Sequence, residues 1–282
     1  MNAVPGDGRY LGIDFSGDFR KWATRCRRSN VWIAEAEAGG GRLRLRDVQP
    51  VQDLPGAGSP FERLVERLRR GDFRAAALDA PFSVAAAPVD GAPHDALLAR
   101  VDALSLLESR PFPAGASLVE ALAGTPLPLT PPKPLRTTDR VWTARGVNVR
   151  SGLWNGARPG APLASACMKL LARTGAPLWP WCGAGVDGLL CEGFPAAQLR
   201  QWDLPHQRYA GAAGAALRRR IVAVLQTRID IAATAVEQLV ESPDALDATL
   251  CLFPAAAAFS GGAAGPDDLA PWRCEGWISV AP

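Results

Sequence analysis

Two short apolar runs that each end in an aspartate constrain the fold of this chain more than any other feature. The first extends from Tyr10 to Asp14 and the second from Phe73 to Asp79, and turn-forming residues follow both. A short apolar run closed by such residues is typical of a buried strand. A carboxylate at the end of a buried strand needs partners, which can be turn N–H groups, a basic side chain or a metal ion. For Asp14 alone, capping of its own Ser-Gly turn is the simplest interpretation.

The segment between the two runs predicts how the strands pair. Ser59 and Pro60 form a typical helix start, and the apolar residues that follow share one face until Gly71. Two strands joined through a helix pair in parallel by a right-handed crossover. Asp14 and Asp79 are therefore expected at the same edge of a sheet, where α/β folds bind ligands.

The next segments predict a mixed α/β fold with one large insertion. Residues 31–37 and 42–46 flank a glycine turn, which predicts a hairpin beside the first strand. Residues 84–186 are rich in Ala, Pro and Gly, and predict a helical and loop-rich insertion after the fourth strand that caps the sheet edge. Within it we expect helices at 95–108, 116–122 and 164–173, and an extended segment at 127–134.

Further acids lie at predicted structural junctions in the C-terminal part of the chain. A third apolar run, residues 189–195, is interrupted by Glu192. Ser242 is a typical helix N-cap, and Asp244 and Asp247 in that helix project from one face because they are three residues apart.

The remaining C-terminal elements are predicted from periodicity. One long helix is expected over residues 212–240, which carry an apolar stripe. Pro254 is expected to kink or end the helix that contains it. Residues 277–280 are expected to form a last edge strand.

Composition excludes several classes of protein. The 282 residues are 48% hydrophobic and 21% charged, which is typical of a globular protein. No run of eighteen apolar residues is present to span a membrane, and the N-terminus does not resemble a signal peptide. We therefore expect one domain over residues 1–282 and a cytoplasmic location.

Cysteine and histidine usage argues against several kinds of site. The six cysteines are scattered without a C-x-x-C pair, so neither a zinc site nor a disulfide framework is predicted. With only two histidines, His94 and His206, a histidine-based metal site or a Ser-His-Asp hydrolase has little support.

The net charge of +3 is weak evidence for a polyanionic partner. The clearest basic segment, residues 19–28, holds five Arg or Lys residues and a tryptophan directly after the Asp14 turn. It can be a solvated connecting loop or a rim that faces phosphates, and the sequence favours neither. Nucleic acid is thus a possible partner.

The acids at the junctions predict a metal site if they converge. They are Asp14, Asp79, Glu192, Asp244 and Asp247. Like charges gathered at one edge repel, and divalent cations neutralise them. Mg²⁺ and Mn²⁺ prefer carboxylate oxygen, and a pair of such ions can activate a water on a phosphodiester.

Six short motifs follow one another along the chain: Gly12–Ser16, Asp79–Pro81, Arg136–Arg140, Glu192–Ala196, Asp244–Ala248 and Glu275–Ile278. Taken in this order, they resemble a known family. That family is domain of unknown function 429, whose members are predicted to be ribonuclease-H-like nucleases. The layout is also similar to that of Holliday junction resolvases, which carry a late D-x-x-D helix. The resemblance implies a ribonuclease-H-like mixed sheet flanked by helices and a metal-dependent nuclease activity.

The resemblance also implies roles for the acids. Asp14 would bridge two metal ions, Mg²⁺ or Mn²⁺, while Asp79 and Asp247 would bind one each. Asp244 would be a ligand or would orient water. Glu192 would be an additional ligand or a structural residue.

Ser16, Asp139 and Arg140 are the candidate substrate-binding residues that the resemblance implies. Arg140 could extend from the insertion to a scissile phosphate. The alternative is that Asp139 and Arg140 form an internal salt bridge that holds the insertion together.

Two other classes of function stay open. The segment Gly12–Gly17 also resembles the first phosphate loop of actin-like ATPases and sugar kinases, although no second such loop is evident later in the chain. A non-catalytic binding module that retains an acidic pocket is the third possibility.

Overall fold

The sheet is the frame that positions every candidate residue. A computed structural model describes residues 6–107, 110–124, 133–265 and 272–282. The strands are β1 (Gly8–Asp14), β2 (Trp32–Gly39), β3 (Arg42–Pro50), β4 (Ala75–Asp79), β5 (Leu189–Gly193) and β6 (Ile229–Asp230). They form one six-stranded sheet in the order β5-β4-β1-β2-β3-β6.

Strand pairing confirms the predicted mixed sheet. β1, β2 and β3 pair antiparallel as a meander, which contains the expected hairpin. β4 pairs parallel to β1, and β5 pairs parallel to β4. In this register Asp14 lies directly opposite Asp79. The crossover prediction therefore placed the two carboxylates correctly at the same end of adjacent strands.

Helices cover both faces of the sheet. They are α1 (Pro60–Arg69), α2 (His94–Asp102), α3 (Gly115–Ala123), α4 (Thr137–Ala144), α5 (Ala161–Thr174), α6 (Pro195–Gln201), α7 (Ala215–Arg228), α8 (Ala233–Glu241), α9 (Pro243–Ser260) and α10 (Trp272–Glu275). α9 packs on one face of β1 and β4, against alternate residues such as Tyr10 and Ala77. α1 and α5 pack on the opposite face, against Leu11, Ile13 and Leu78. Among the described residues, no helix is long and apolar enough to cross a membrane.

The inserted helices pack on each other around a small apolar cluster. α2, α3 and α5 meet at Leu97, Leu118 and Met168. α3 and α5 confirm the helices expected at 116–122 and 164–173. α2 is shorter than expected because it ends at Asp102, where the Lys169 ammonium binds both the backbone carbonyl and the carboxylate of that residue. Of the segment expected to be extended, residues 127–132 lie outside the described residues.

The prediction of one long helix in the C-terminal part was wrong. The helix expected over 212–240 is divided into α7 and α8, because Ile229 pairs as a short edge strand with Leu43 and Asp230 accepts a hydrogen bond from Arg42 at 2.6 Å. Tertiary pairing here overrides the helical periodicity.

α9 does not end at Pro254 but continues to Ser260. The helix is buried on the sheet, and the Pro254 carbonyl accepts a hydrogen bond from the Ser279 hydroxyl at 3.0 Å. The expected edge strand at 277–280 is reduced to one bridge between Ile278 and Glu192.

At Gly12, the backbones of β1 and α9 approach each other closely. A Cβ atom at Gly12 would lie 2.0 Å from the Ala248 carbonyl oxygen and 2.8 Å from the Leu252 backbone nitrogen. No side chain fits between a strand and a helix at this separation. The absence of a side chain at Gly12 therefore allows α9, with its acids, to lie against the end of β1.

We expect Gly12→Ala to lower the free energy of unfolding by about 3 kcal/mol, because backbone atoms of both elements must move apart. Gly39→Ala is the matched control, since no atom lies within 4 Å of a Cβ there. Urea unfolding of both variants measures the difference. A loss below about 1 kcal/mol at Gly12 would contradict the close packing of α9 on β1.

Candidate metal centre

Three aspartates from three separate elements meet at the edge of the sheet. Asp14 ends β1, Asp79 ends β4, and Asp247 lies in the second turn of α9. One carboxylate oxygen from each lies within 4.8 Å of the others. The expected convergence of these three acids is therefore confirmed, although they are 65 or more residues apart in the sequence.

The start of α9 orients Asp247 toward the sheet. The Ser242 hydroxyl accepts a hydrogen bond from the Ala245 backbone N–H at 3.1 Å, and Pro243 occupies the first helical position. The neighbours Leu246 and Ala248 are completely buried. The N-cap fixes the helix register, so Asp247 faces the strand ends.

Burial and mutual repulsion dominate the electrostatics of the cluster. Burial raises the pKa of Asp14 well above its ordinary value, and the charges of Asp247, Asp79 and Asp244 raise it further. The pKa of Asp247 is also raised well above normal, first by burial and then by the charge of Asp79. Without a cation, this arrangement disfavours having all of these carboxylates ionised together.

The pKa of Asp79 is raised to about 7. Burial is the main cause, and the charge of Glu192 adds to it, while the positive charge of Arg150 opposes the shift. The pKa of Asp79 thus reflects opposing effects of one negative and one positive neighbour.

The donor set fits a hard divalent cation. It consists of carboxylate oxygens, which are the ligands that such cations prefer. Their separation is comparable to the ~4–5 Å between opposite oxygen ligands of Mg²⁺ or Ca²⁺. A bound cation would also remove the repulsion that raises the three pKa values.

We expect the metal-free protein to lose stability as the pH rises from about 5 to 8. A carboxyl group whose pKa is raised by folding stabilises the folded state fully at a pH below its ordinary pKa, which is near 4 for aspartate. This contribution is lost as the pH rises through the pKa of the folded state, which is about 7 for Asp79. The loss should be of the order of 2 kcal/mol, because solvent reaches part of the Asp79 side chain.

Melting temperatures measured with EDTA and with Mn²⁺ across this pH range test the prediction. The metal-induced stabilisation should grow with pH, because protons compete with the cation. The variant Asp79→Asn should flatten the EDTA profile. A metal-free melting temperature that rises steadily over the same range in both proteins would contradict the expectation.

Tyr209 holds the Asp247 carboxylate from outside the triad. Its hydroxyl donates a hydrogen bond to Asp247 Oδ1 at 2.8 Å. Burial raises the pKa of Tyr209 well above its ordinary value, and the charge of Asp247 raises it further, so the hydroxyl stays protonated and donates. The buried Arg218 guanidinium binds the backbone carbonyls of Tyr209 and Gly211 and so fixes this loop.

We expect Tyr209→Phe to weaken metal binding by about 10-fold to 100-fold, as is typical when a partner of a metal ligand is removed. The fold should persist, because only the hydroxyl is lost. Calorimetric titration with Mn²⁺ measures the change. Tyr10→Phe is the matched control, since the Tyr10 hydroxyl donates its hydrogen bond to the Gly6 carbonyl and not to a carboxylate of the triad. Equal affinities of the two variants would contradict this role of Tyr209.

Asp244 lies beside the triad on the more exposed side. Burial raises its pKa, and the positive charge of Lys21 opposes that rise. Lys21 belongs to the basic segment 19–28, in which Trp22 is buried and donates a hydrogen bond to the Ser16 carbonyl at 2.9 Å. The segment is therefore anchored next to the acids, while Arg25, Arg27 and Arg28 are exposed.

Glu192 lies in a separate buried ion network. Its two carboxylate oxygens accept hydrogen bonds from the Arg136 guanidinium at 2.6 and 2.7 Å, and one also accepts from the Phe82 backbone N–H at 2.9 Å. Arg136 also binds Asp139, at 2.9 Å. Because both oxygens of Glu192 have partners, the geometry favours the structural alternative over metal ligation.

Glu275 completes this network from the C-terminal segment. Its carboxylate accepts hydrogen bonds from the backbone N–H groups of Ala86 at 2.9 Å and Thr137 at 2.6 Å. The Arg136 side chain also contacts the Glu275 carbonyl at 3.3 Å. The network thus ties the loop after β4, the start of α4 and the C-terminal segment together beside the triad.

The three candidate substrate-binding residues, Ser16, Asp139 and Arg140, are not part of the triad, and each bonds to other groups of the protein. Ser16 is buried, and its hydroxyl accepts a hydrogen bond from the Asp18 backbone N–H at 3.2 Å. Asp139 is bound to Arg136, and its carboxylate also accepts from the Arg136 backbone N–H. Arg140 is exposed, and it bonds to the Leu135 carbonyl and the Thr137 hydroxyl. The ion pair that holds this region is therefore Arg136–Asp139.

A cavity of about 350 Å³ opens beside the triad. Asp79 and Asp247 line it together with the Arg136–Glu192 pair, and Tyr209 lies at its wall. Residues 148–150 of the insertion form another part of the wall. The acids are thus reached through a pocket that the sheet edge and the insertion build jointly.

Sequence reasoning missed three arginines and a tyrosine here. Arg136 belongs to the motif Arg136–Arg140, but only Asp139 and Arg140 of that motif were predicted as site residues. Tyr209 and Arg150 lie on irregular backbone, so periodicity does not single them out. Arg218 is a polar residue within α7, and the apolar spacing of that helix gives it no special role.

Comparison with known proteins identifies a family. A family model described as "Protein of unknown function (DUF429)" matches residues 12–270, which include all three aspartates. No curated protein and no solved structure matches the chain. Because the family match extends over most of the sequence, the chain belongs to the DUF429 family.

Proposed function

We propose that this protein is a metal-dependent phosphodiesterase that acts on nucleic acid. The observation that carries the proposal is the convergence of Asp14, Asp79 and Asp247, whose carboxylate oxygens lie within 4.8 Å of one another at an accessible sheet edge. Clusters of carboxylates at the C-terminal edge of parallel strands are typical of sites that bind divalent cations and phosphates.

The order of elements supports a ribonuclease-H-like arrangement. A strand that ends in Asp14 leads to a hairpin and a helix, and then to a parallel strand that ends in Asp79. A late helix, α9, adds Asp244 and Asp247. This is the layout that the motif resemblance implies for a nuclease.

The three aspartates would hold the cations, with Asp14 shared between two ions. Mg²⁺ or Mn²⁺ would supply an activated water and would steady the leaving oxygen of the ester. Hydrolysis adds water across one P–O bond, so phosphorus gains the water oxygen and the leaving oxygen gains a proton. Tyr209 keeps the Asp247 carboxylate oriented throughout. Asp244, whose charge acts on Asp14, would ligate a cation or orient water.

The turn after β1 favours this function over an actin-like ATPase. Nucleotide-binding loops of that class offer free backbone N–H groups to phosphates. Here a Cβ at Gly17 would lie 2.4 Å from the Leu163 backbone nitrogen, so the start of α5 covers the turn. The Asp18 N–H is already bound to Ser16. We therefore expect Mn²⁺ to raise the melting temperature and ATP to add nothing further.

The direct test is cleavage of labelled DNA and RNA by purified protein with Mn²⁺ or Mg²⁺. Asp79→Asn should remove the activity, and EDTA should do the same. Asp203→Asn, purified in the same way, is the matched control because its side chain is 95% exposed. Activity that persists in Asp79→Asn would indicate a contaminating nuclease and would contradict the assignment.

A further inference from the structure

The cavity beside the triad is small, and its lining is mixed. Its volume of about 350 Å³ lies at the lower end of the ~300–1,000 Å³ typical of small-molecule sites. A double helix is too large to enter it, whereas a unit the size of one nucleotide is not. Its lining combines the carboxylates of Asp79 and Asp247 with several apolar side chains, which we call the apolar wall.

Two arginines line the cavity, and they differ in whether carboxylates of the protein already bind the guanidinium. Arg136 is 3% exposed, and Glu192 and Asp139 engage its guanidinium. Arg150 is exposed, and within the described parts of the chain it forms no salt bridge. A guanidinium can bind a phosphate through two parallel hydrogen bonds. Arg150 is therefore the cation positioned to bind an anion that enters beside Asp79.

The apolar wall indicates that more than a phosphate enters. Phe15, Val149, Leu163 and Phe194 line the cavity. A phosphate backbone gains nothing from such a surface, whereas a base and a sugar bury apolar area on it and can stack on an aromatic ring. The combination of carboxylates, one available arginine and an apolar wall matches the parts of a single nucleotide.

We propose that this cavity is a subsite for one nucleotide unit, with Arg150 on its phosphate and the apolar wall against its base and sugar. The proposal deepens the proposed function and rests on it. The unit can be the terminal nucleotide of a single strand or a free mononucleotide ester, because both have the same chemistry. Val149, Arg150 and Leu163 all belong to the insertion, so the insertion limits the size of the substrate.

Binding is tested first, with the Mn²⁺-loaded protein and thymidine monophosphate in a calorimeter. Arg150→Met should weaken binding by at least about 10-fold, because a charge-assisted contact is lost. Its affinity for Mn²⁺ alone should not fall, because losing a positive charge beside Asp79 does not disfavour a cation. Arg145→Met is the matched control, since Arg145 is exposed and lies over the Trp142 ring, outside this cavity. Equal nucleotide affinity in wild type and Arg150→Met overturns the subsite.

Cleavage assays distinguish a failure of the nucleotide subsite from a failure of the proposed nuclease function. The substrates are a linear single strand, the same strand circularised, a duplex, and the nitrophenyl ester of thymidine monophosphate. The linear strand should be cut from its ends, at least about 10-fold faster than the circle or the duplex. Cleavage of the ester as well extends the subsite to free mononucleotides, and cleavage of the linear strand alone restricts it to strand ends.

Two outcomes distinguish the failures. If the circle is cut as fast as the linear strand, the subsite is overturned while the nuclease function stands. If no substrate is cut but nucleotide binding still depends on Arg150, the nuclease function is contradicted and the subsite is supported.

Discussion

Replacing Arg136 by methionine is expected to lower the free energy of unfolding by about 3–5 kcal/mol. The variant leaves the carboxylates of Glu192 and Asp139 buried without their cation, and both residues are nearly inaccessible to solvent. Arg136 makes paired hydrogen bonds to Glu192, at 2.6 and 2.7 Å, so a lysine would replace only part of the interaction. Urea unfolding measures the loss.

Two further variants establish the cause. Arg140→Met, in the same segment but exposed, should change stability by no more than about 0.5 kcal/mol. Neutralising the partners as well, with Glu192→Gln and Asp139→Asn in the Arg136→Met background, should recover part of the loss, because no buried charge is left unpaired. If Arg136→Met and Arg140→Met are equally stable, the network does not hold the insertion on the sheet.

Asp14→Asn is expected to combine a large loss of function with no loss of metal-free stability. Removing a ligand that both proposed ions share should reduce Mn²⁺ affinity and phosphodiesterase activity by at least about 100-fold. In EDTA at neutral pH, the melting temperature should stay the same or rise, because the substitution removes an acid whose ionisation is opposed by burial and by the charges of Asp247 and Asp79.

The opposite pattern would identify Asp14 as a turn-capping residue. In that case the metal-free variant would unfold more easily, and Mn²⁺ affinity would be retained. Asp203→Asn again serves as the control, because its exposed carboxylate lies outside the cluster. Equal metal affinity of the Asp14 and Asp203 variants would remove Asp14 from the site.

The sequence predicted the position of Asp14 and Asp79 because strong local rules determine it. Each acid closes a short apolar run, and the helix between them enforces parallel pairing, so their register follows from chain connectivity. Asp247 was predictable as a member of a capped helix whose neighbours are apolar. Its distance from the strands was not, because the missing side chain of Gly12 sets that distance.

The supporting residues were not predictable, for a physical reason. Tyr209 and Arg150 lie on irregular backbone, and neither periodicity nor propensity determines the direction of their side chains. The Arg136–Glu192 pair joins residues that are 56 positions apart. Only the packing of the insertion on the sheet brings them together.

The division of the helix predicted over residues 212–240 also depends on packing between distant segments, which local sequence does not reveal. Local propensity over that stretch favours a continuous helix. Ile229 and Asp230 leave it because the edge of β3 offers backbone partners and the Arg42 side chain. Such competition between a helix and a sheet edge is visible only when both elements are in place.

The most direct test of the metal centre is anomalous diffraction from a crystal soaked in Mn²⁺. We predict a peak bonded to oxygens of Asp14, Asp79 and Asp247, and its disappearance in a crystal of Asp14→Asn soaked in the same way. An ordered triad without anomalous density near its carboxylates, at a Mn²⁺ concentration that saturates ordinary protein sites, would contradict the assignment.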